Sequence, residues 1–255
     1  MLIDFHCHTK DSFDAYTTYD ELLKVCVNKN ISAITITEHD LPSKAPLKKF
    51  KKNNISIIPG CEFTTDKGAH IIGLFIKNTS PKKNDLRSII DYISQQDGII
   101  YIPHPFKEKT GICKVYLDYE LYLNHCNMIE IVNGGLKESE KEKNEIKKIA
   151  NQYNLILVSG SDSHKASQVG YYLNKYNTDS NDLYDIVKNL SPTILYDSNL
   201  RRPPRNLNFL QKTSVYQFMI LKVNYKFKRI IKKIIYKLFS KTKENEKSNY
   251  IKLNL

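Results

Sequence analysis

Seven histidines stand in this chain of 255 residues, and six of them fall at the ends of apolar runs. His6 and His8 close the run at 2–5, His39 follows 33–37, and His70 opens 70–75. His104 follows 99–102, and His164 lies just past 155–159. Asp14, Glu38, Asp40, Glu62 and Asp162 share these positions. Imidazoles and carboxylates gathered in one place bind borderline divalent metals such as Zn²⁺, Mn²⁺ or Fe²⁺. A single His-x-His is common by chance, and a lone buried histidine is more often a satisfied core residue than a ligand. The whole set, not any one member, carries the reading. Alternate residues of a strand point the same way, so His6 and His8 can meet one ion while Cys7 turns into packing.

Elements must bring these side chains together. The runs at 2–5, 33–37, 55–59, 70–75, 99–102, 128–132, 155–159 and 193–196 have strand length and composition. Helical patterns lie between them, notably at 19–28, 85–96, 138–153 and 181–190. In the second, Leu86, Ile89, Ile90 and Ile93 recur at helical spacing. Asp97-Gly98 is a stop for that helix, and Ser180 or Asn181 a cap for the last. Alternating strands and helices predict βα units and a mainly parallel sheet. Six or seven units in about 200 residues predict a barrel-like α/β fold, whose strand ends converge on one face. Arg201-Arg202-Pro203-Pro204-Arg205 cannot continue regular structure and divides a body, 1–200, from a tail, 201–255.

Composition narrows the class. With 41% hydrophobic and 26% charged residues, the chain is neither disordered, collagenous nor a coiled-coil rod. No stretch reaches the roughly 18 uncharged apolar residues of a membrane span. Met1-Leu2-Ile3-Asp4 has neither the basic nor the apolar region of a secretory signal. Five cysteines without a CxxC pair fit a reducing cytoplasm better than a disulfide framework. The net charge of +12 is segregated: 1–197 holds 24 Lys+Arg against 25 Asp+Glu, and 198–255 holds 15 against Glu244 and Glu246. A neutral body makes a strand-tracking nucleic-acid groove the lesser expectation. In the tail, 227–239 sets Phe227, Ile230, Ile231, Ile234, Ile235 and Leu238 on one helical face and Lys228, Arg229, Lys232 and Lys233 on the other. A basic amphipathic helix of this kind suits the inner face of an anionic membrane, or docks on the body with solvated lysines. Residues 242–255 read as mobile.

The motifs resemble a known family. His6-x-His8-Thr9-x-x-Ser12-x-Asp14, Thr37-Glu38-His39-Asp40, Pro59-Gly60-Cys61-Glu62, Ile102-Pro103-His104-Pro105 and Gly160-Ser161-Asp162-Ser163-His164 look like successive motifs of the PHP (polymerase and histidinol phosphatase) family. The resemblance covers about residues 1 to 200. It implies a distorted (β/α)7 barrel of the PHP type, followed here by the basic helical tail, with two or three divalent ions (Zn, Mn or Fe) on one face. By the same resemblance, one ion takes His6, His8, Glu62 and Asp162. A second shares Glu62 and takes His70 and His104, and a third takes Asp14, His39 and His164. Glu38 stands where the family more often has aspartate, and is expected just outside the ligands.

Clustered divalent ions generate hydroxide near neutral pH and neutralise phosphate oxygens. Phosphate ester hydrolysis needs both services, because its substrate is anionic and its uncatalysed rate is very slow. The chain therefore reads as a metal-dependent phosphoesterase, a phosphatase of the histidinol-phosphatase kind, acting on small phosphomonoesters through a metal-activated hydroxide. Asp14, Glu62 and Asp162 are the carboxylates expected at the reaction centre, with Asp14 or a metal-bound water as the general acid. Lys107, Lys165, Arg201, Arg202 and Arg205 are the candidates for gripping substrate phosphate. Alternatives are a nuclease or nucleotide phosphoesterase, a phosphoprotein phosphatase at the membrane surface, and a non-catalytic scaffold. A scaffold would have no need of all nine ligands.

Overall fold

In a computed structural model, residues 1–198 and 249–253 are described. Ten strands make one sheet: β1 (Leu2–Asp4), β2 (Ala33–His39), β3 (Ser56–Thr64), β4 (His70–Leu74), β5 (Ile99–Ile102), β6 (Met128–Asn133), β7 (Ile156–Gly160), β8 (Tyr172–Lys175), β9 (Thr193–Asp197) and β10 (Tyr250–Lys252). Their spatial order is β10-β9-β8-β1-β2-β3-β4-β5-β6-β7. The helices are α1 (Tyr19–Asn28), α2 (Leu47–Lys51), α3 (Leu86–Ser94), α4 (Ile112–Val115), α5 (Glu120–Leu123), α6 (Glu140–Tyr153) and α7 (Leu183–Asn189).

The sheet curls until its far edge meets β1 again. Beyond β7, Ser163 bridges Cys7 in parallel, and the His8 amide donates to the Ser163 carbonyl at 2.9 Å. Ser161 Oγ adds a bond to the His6 carbonyl at 3.0 Å. The result is a distorted α/β barrel. One buried cluster takes Ile3, Ala33, Ile58, Ile72, Ile99, Met128 and Val158, a residue from each of β1 to β7. This layer fills the interior. Tyr176, Ile186 and Val187 join the same cluster, and Tyr184 of α7 bonds the Asp97 carbonyl before β5. Helix α7 therefore stoppers the end where β5 begins.

Strand alternation places the other faces outward. Ile34 and Ile36 of β2 meet Leu22 and Cys26 of α1 and Phe50 of α2. Ile100, Ile102 and Ile129 meet Ile89 and Ile93 of α3 and Ile146 of α6. Cys7 and Cys61 lie in these outer layers, fully buried, and all five cysteines are free thiols. Capping boxes at Thr18 and Ser139 start α1 and α6. Asp85 caps α3, and Asp182, rather than Ser180 or Asn181, caps the shorter α7.

The expectation of a mainly parallel sheet is corrected. β1-β2, β2-β3, β5-β6 and β6-β7 are parallel, but β3-β4, β4-β5, β1-β8, β8-β9 and β9-β10 are antiparallel. The β3–β4 link explains the first reversal. It closes on a Thr65 amide to Ala69 carbonyl bond of 2.8 Å with Gly68 at φ 90°. A parallel crossover needs a dozen or more residues, so so short a link can only be a hairpin. The run expected at 55–59 continues through Gly60 to Thr64. The end of the chain is a second correction. Tyr250–Lys252 is not loose but pairs with β9, and Tyr250 OH bonds the Gly170 carbonyl at 2.8 Å. Arg201, Arg202, Arg205 and the amphipathic segment 227–239 lie outside the described residues. Among the described residues, no helix is long and apolar enough to cross a membrane.

Candidate metal centre

Register brings the ligands to one mouth. In the β2–β3 ladder His39 stands opposite Glu62. The hairpin then returns His70 opposite Thr64, two residues from Glu62. Because β4 runs antiparallel, its first residue, not its last, reaches the rim where β2 and β3 end. His6 and His8 lie beyond β1, His104 beyond β5, and Asp162 and His164 beyond β7. Two of these turns use left-handed backbone, His104 at φ 30° and Asp162 at φ 47°. Such conformations are costly for non-glycine residues and persist only where the surroundings hold them.

The two oxygens of Glu62 face different partners. Oε2 lies 3.5 Å from His6 Nε2, 3.3 Å from His8 Nε2 and 3.2 Å from His39 Nδ1. Oε1 lies 2.7 Å from His70 Nδ1 and 3.1 Å from His104 Nε2. Asp162 Oδ1 is 3.4 Å from both His6 Nε2 and His8 Nε2. Asp14 Oδ2 is 3.4 Å from His39 Nε2 and 3.2 Å from His164 Nε2. All nine anticipated side chains are thus in one connected cluster. Its floor (His6, His8, Glu62, His104, Asp162) is buried, while His39, His70, Asp14 and His164 stand nearer the mouth. The sets whose donor atoms could hold an ion together are His8, His39 and His164; His6, His104 and Asp162; His6, His8 and Glu62; and His39, Glu62 and His70. These overlap, so His6, His8, His39 and Glu62 each stand in two groupings instead of one.

Electrostatics show why this set fits cations. His6 Nε2 and His8 Nε2 are only 3.2 Å apart, both aimed at the same two carboxylate oxygens. Lone pairs converging in this way repel unless a proton or a cation sits among them. Burial pushes Glu62 and Asp162 up, but the imidazoles around them, with Lys107 beside Asp162, outweigh it and hold both well below the usual carboxylate range. Burial likewise opposes charge on His6, yet Asp162 and Glu62 raise it well above an ordinary histidine. Burial, then the charge of Lys107, pushes His104 down to about 4. Asp14 Oδ1 is buried with no hydrogen-bond partner. A buried carboxylate oxygen in that state is a donor of the kind a divalent ion takes as a ligand.

The PHP domain family model matches residues 4–194. The chain belongs to the PHP domain family. Among curated proteins it is 29% identical over 173 residues to the uncharacterized protein MJ0417 of Methanocaldococcus jannaschii, covering 67% of this chain and 68% of that one. Among solved structures it is similar to a two-domain protein of Bacteroides vulgatus containing a predicted PHP-like metal-dependent phosphoesterase. That match has a TM-score of 0.55 at 19% identity, over 80% of this chain and 60% of the other. It is similar also to Endonuclease Q, solved with a 27-mer duplex substrate bearing an abasic lesion, with a TM-score of 0.54 at 14% identity over 75% and 57%. The chain thus spans about three fifths of the length of these two solved structures.

Around these nine side chains lie further polar groups. Glu38 is fully buried and touches none of the ligand nitrogens. Its oxygens accept from the Thr9 amide at 3.2 Å and from the Thr9 and Ser12 hydroxyls. Ser12 Oγ in turn lies 3.4 Å from His8 Nδ1 and accepts from the His39 amide at 3.1 Å. Lys107 reaches the mouth, with Nζ 3.7 Å from Asp162 Oδ2, the oxygen turned away from His6 and His8. Lys165 follows His164 on the surface. Sequence reasoning missed Glu130 and Asp4, both buried. Asp4 accepts from the amides of His6, Ser161 and Gly170, tying β1 to the loop that carries Asp162. A charged residue inside each apolar strand run was the available signal. His125, the seventh histidine, lies away from the cluster and contacts Arg87 on the surface at 3.0 Å.

Proposed function

We propose that this PHP chain is a metal-dependent phosphoric ester hydrolase acting on small phosphomonoesters. The observation that carries the reading is the sharing of Glu62 among His6, His8, His39, His70 and His104 at one open mouth. When bound there, divalent ions would supply a nucleophile at neutral pH and Lewis-acid charge for phosphate oxygens. The nine side chains would hold the ions, and their own work is positional. Ser12, itself held by Glu38, fixes the ring of His8 and the backbone of His39, and Asp4 fixes the Asp162 loop. Lys107 stays protonated among the surrounding carboxylates, and its ammonium, partly exposed at the lip, would take a phosphate oxygen. Against its burial, His164 and His39 hold Asp14 well below the usual carboxylate range, so it is placed to hold an ion and not to donate a proton.

A nuclease is the second reading, and the likeness to Endonuclease Q is what favours it. The near-neutral body speaks for the smaller substrate. The test is phosphate release from a panel of phosphomonoesters and nucleotides, with strand cleavage of oligonucleotides followed on a gel, by Mn²⁺-loaded protein, with Asp162→Asn beside it. Monoester turnover that the variant loses is expected. Turnover confined to oligonucleotides would install the nuclease reading, and none on any substrate by folded, loaded protein would sink both.

A further inference from the structure

Glu130 sits in mid-strand on β6, fully buried, and belongs to none of the candidate ligand sets. Its carboxylate is nevertheless saturated. Oε1 lies 3.4 Å from His6 Nδ1 and accepts from Tyr101 OH at 2.6 Å. Oε2 accepts from the His104 amide at 2.6 Å and from Asn133 Nδ2 at 2.8 Å. One carboxylate thus grips the far nitrogen of one candidate ligand and the left-handed backbone of another. The barrel has kept the space clear for it: a Cβ on Gly160 would stand 2.3 Å from Glu130 Oε1 and 2.4 Å from His6 Cβ.

We propose that Glu130 is the positioning residue that presents His6 Nε2 and the His104 turn to the metal centre. The proposal rests on the reading that these histidines bind metal. An imidazole has two nitrogens, and a proton held on Nδ1 by an acceptor leaves the Nε2 lone pair for an ion. Glu130 is the acceptor within reach of His6 Nδ1, while the Nε2 edge faces His8, Glu62 and Asp162. By binding the His104 amide, the same group holds that residue in a conformation it would otherwise leave.

Two measurements test this. In ¹⁵N-histidine protein loaded with ¹¹³Cd²⁺, the cadmium coupling should fall on His6 Nε2, with a slowly exchanging proton on Nδ1. Coupling at Nδ1 would overturn the proposal without any variant. Separately, Co²⁺ titration followed by visible absorption should give a Kd about 10–100-fold weaker for Glu130→Gln than for wild type. Tyr101→Phe, which removes a partner of the same oxygen but leaves the carboxylate on His6, should keep the wild-type Kd. Equal Kd values for Glu130→Gln and wild type, or an equal loss in Tyr101→Phe, would reduce Glu130 to packing. A wild type that takes up neither ion would instead refute the metal-centre reading itself.

Discussion

At the scale of single residues, Glu62 has the most to lose. Its two oxygens face five imidazoles, so replacing one oxygen by an amide sets donors against ring nitrogens that the proposed function needs as ligands. Glu62→Gln should weaken Mn²⁺ binding by more than about 100-fold, beyond the range typical of groups just outside a metal, as read by equilibrium dialysis. Lys107 differs, because it touches the ligands from outside. Lys107→Met should raise the KM for a phosphomonoester about tenfold, equivalent to roughly 1.4 kcal/mol, while metal content stays at the wild-type level. Steady-state kinetics beside elemental analysis would separate the two. The pH behaviour of metal-stripped protein follows from the same contacts. Against burial, and for His8 against the charge of His164, the carboxylates of Asp162, Glu62 and Asp14 raise His6, His8 and His164 above the ordinary 6.5, so their stabilisation is complete below about 6.5 and fades as pH rises through the raised values. Against burial, histidines hold Asp14, Glu62 and Asp162 low, so theirs is present above the ordinary carboxylate range and fades as pH falls. His104, pushed down to about 4, works against the other histidines and costs stability in acid. Metal-stripped protein should therefore melt highest near pH 5–6 and lower at pH 8.5 in a thermal scan with chelator. A melting point that climbs steadily to pH 8.5 would contradict this charge pattern.

At the scale of elements, the site depends on where strands stop. The C-terminal end of β7 must pass close to β1 so that Asp162 can face His6, and Gly160 is what permits it. Gly160→Ala drives a methyl group against the Glu130 carboxylate and the His6 side chain, an overpacking that costs about 2 kcal/mol. That corresponds to a fall in Tm of about 4–8 °C for a chain of this size, measurable by calorimetry. Helix α6, by contrast, lies outside the barrel and away from the ligands. Ser139→Ala breaks its capping box and should cost about 1 kcal/mol with no change in metal affinity. Together the pair separates stability that belongs to the site from stability that belongs to its scaffold.

At the scale of the whole molecule, the barrel has one apolar end and one polar end. The interior cluster and α7 close the first, and titratable side chains crowd the second, where protonated imidazoles and carboxylates hold one another in the metal-free chain. That mutual support fades as the imidazoles lose their protons, and ions that bind only the folded state should then stabilise it. At a free Mn²⁺ concentration 100 times the Kd, the gain is about 2.7 kcal/mol, or about 5–10 °C in Tm. A Tm indifferent to both Mn²⁺ and chelator would argue that the cluster holds no ion at all.

Much of this was legible from residue types and spacing. Strand-length apolar runs ending in His and Asp announce an α/β fold with a polar rim, because side chains at strand ends have few places to go but one face. His6, His8, Glu62 and Asp162 could be marked on that ground, as could the outward burial of Cys7 and Cys61 from period-two alternation. What the spacing left open was direction. His70 reaches the rim only because β4 runs backwards, a fact set by a hairpin too short for a crossover. The return of Tyr250–Lys252 to β9 is equally invisible, since an edge strand is recruited by unpaired backbone far away in sequence. Glu130 lies deepest in this class. In sequence it is an acid interrupting an apolar strand, and only the closure of the barrel brings it against His6, Tyr101 and His104, residues 124, 29 and 26 positions away. Local pattern determined which side chains could do chemistry; long-range closure decided which of them touch.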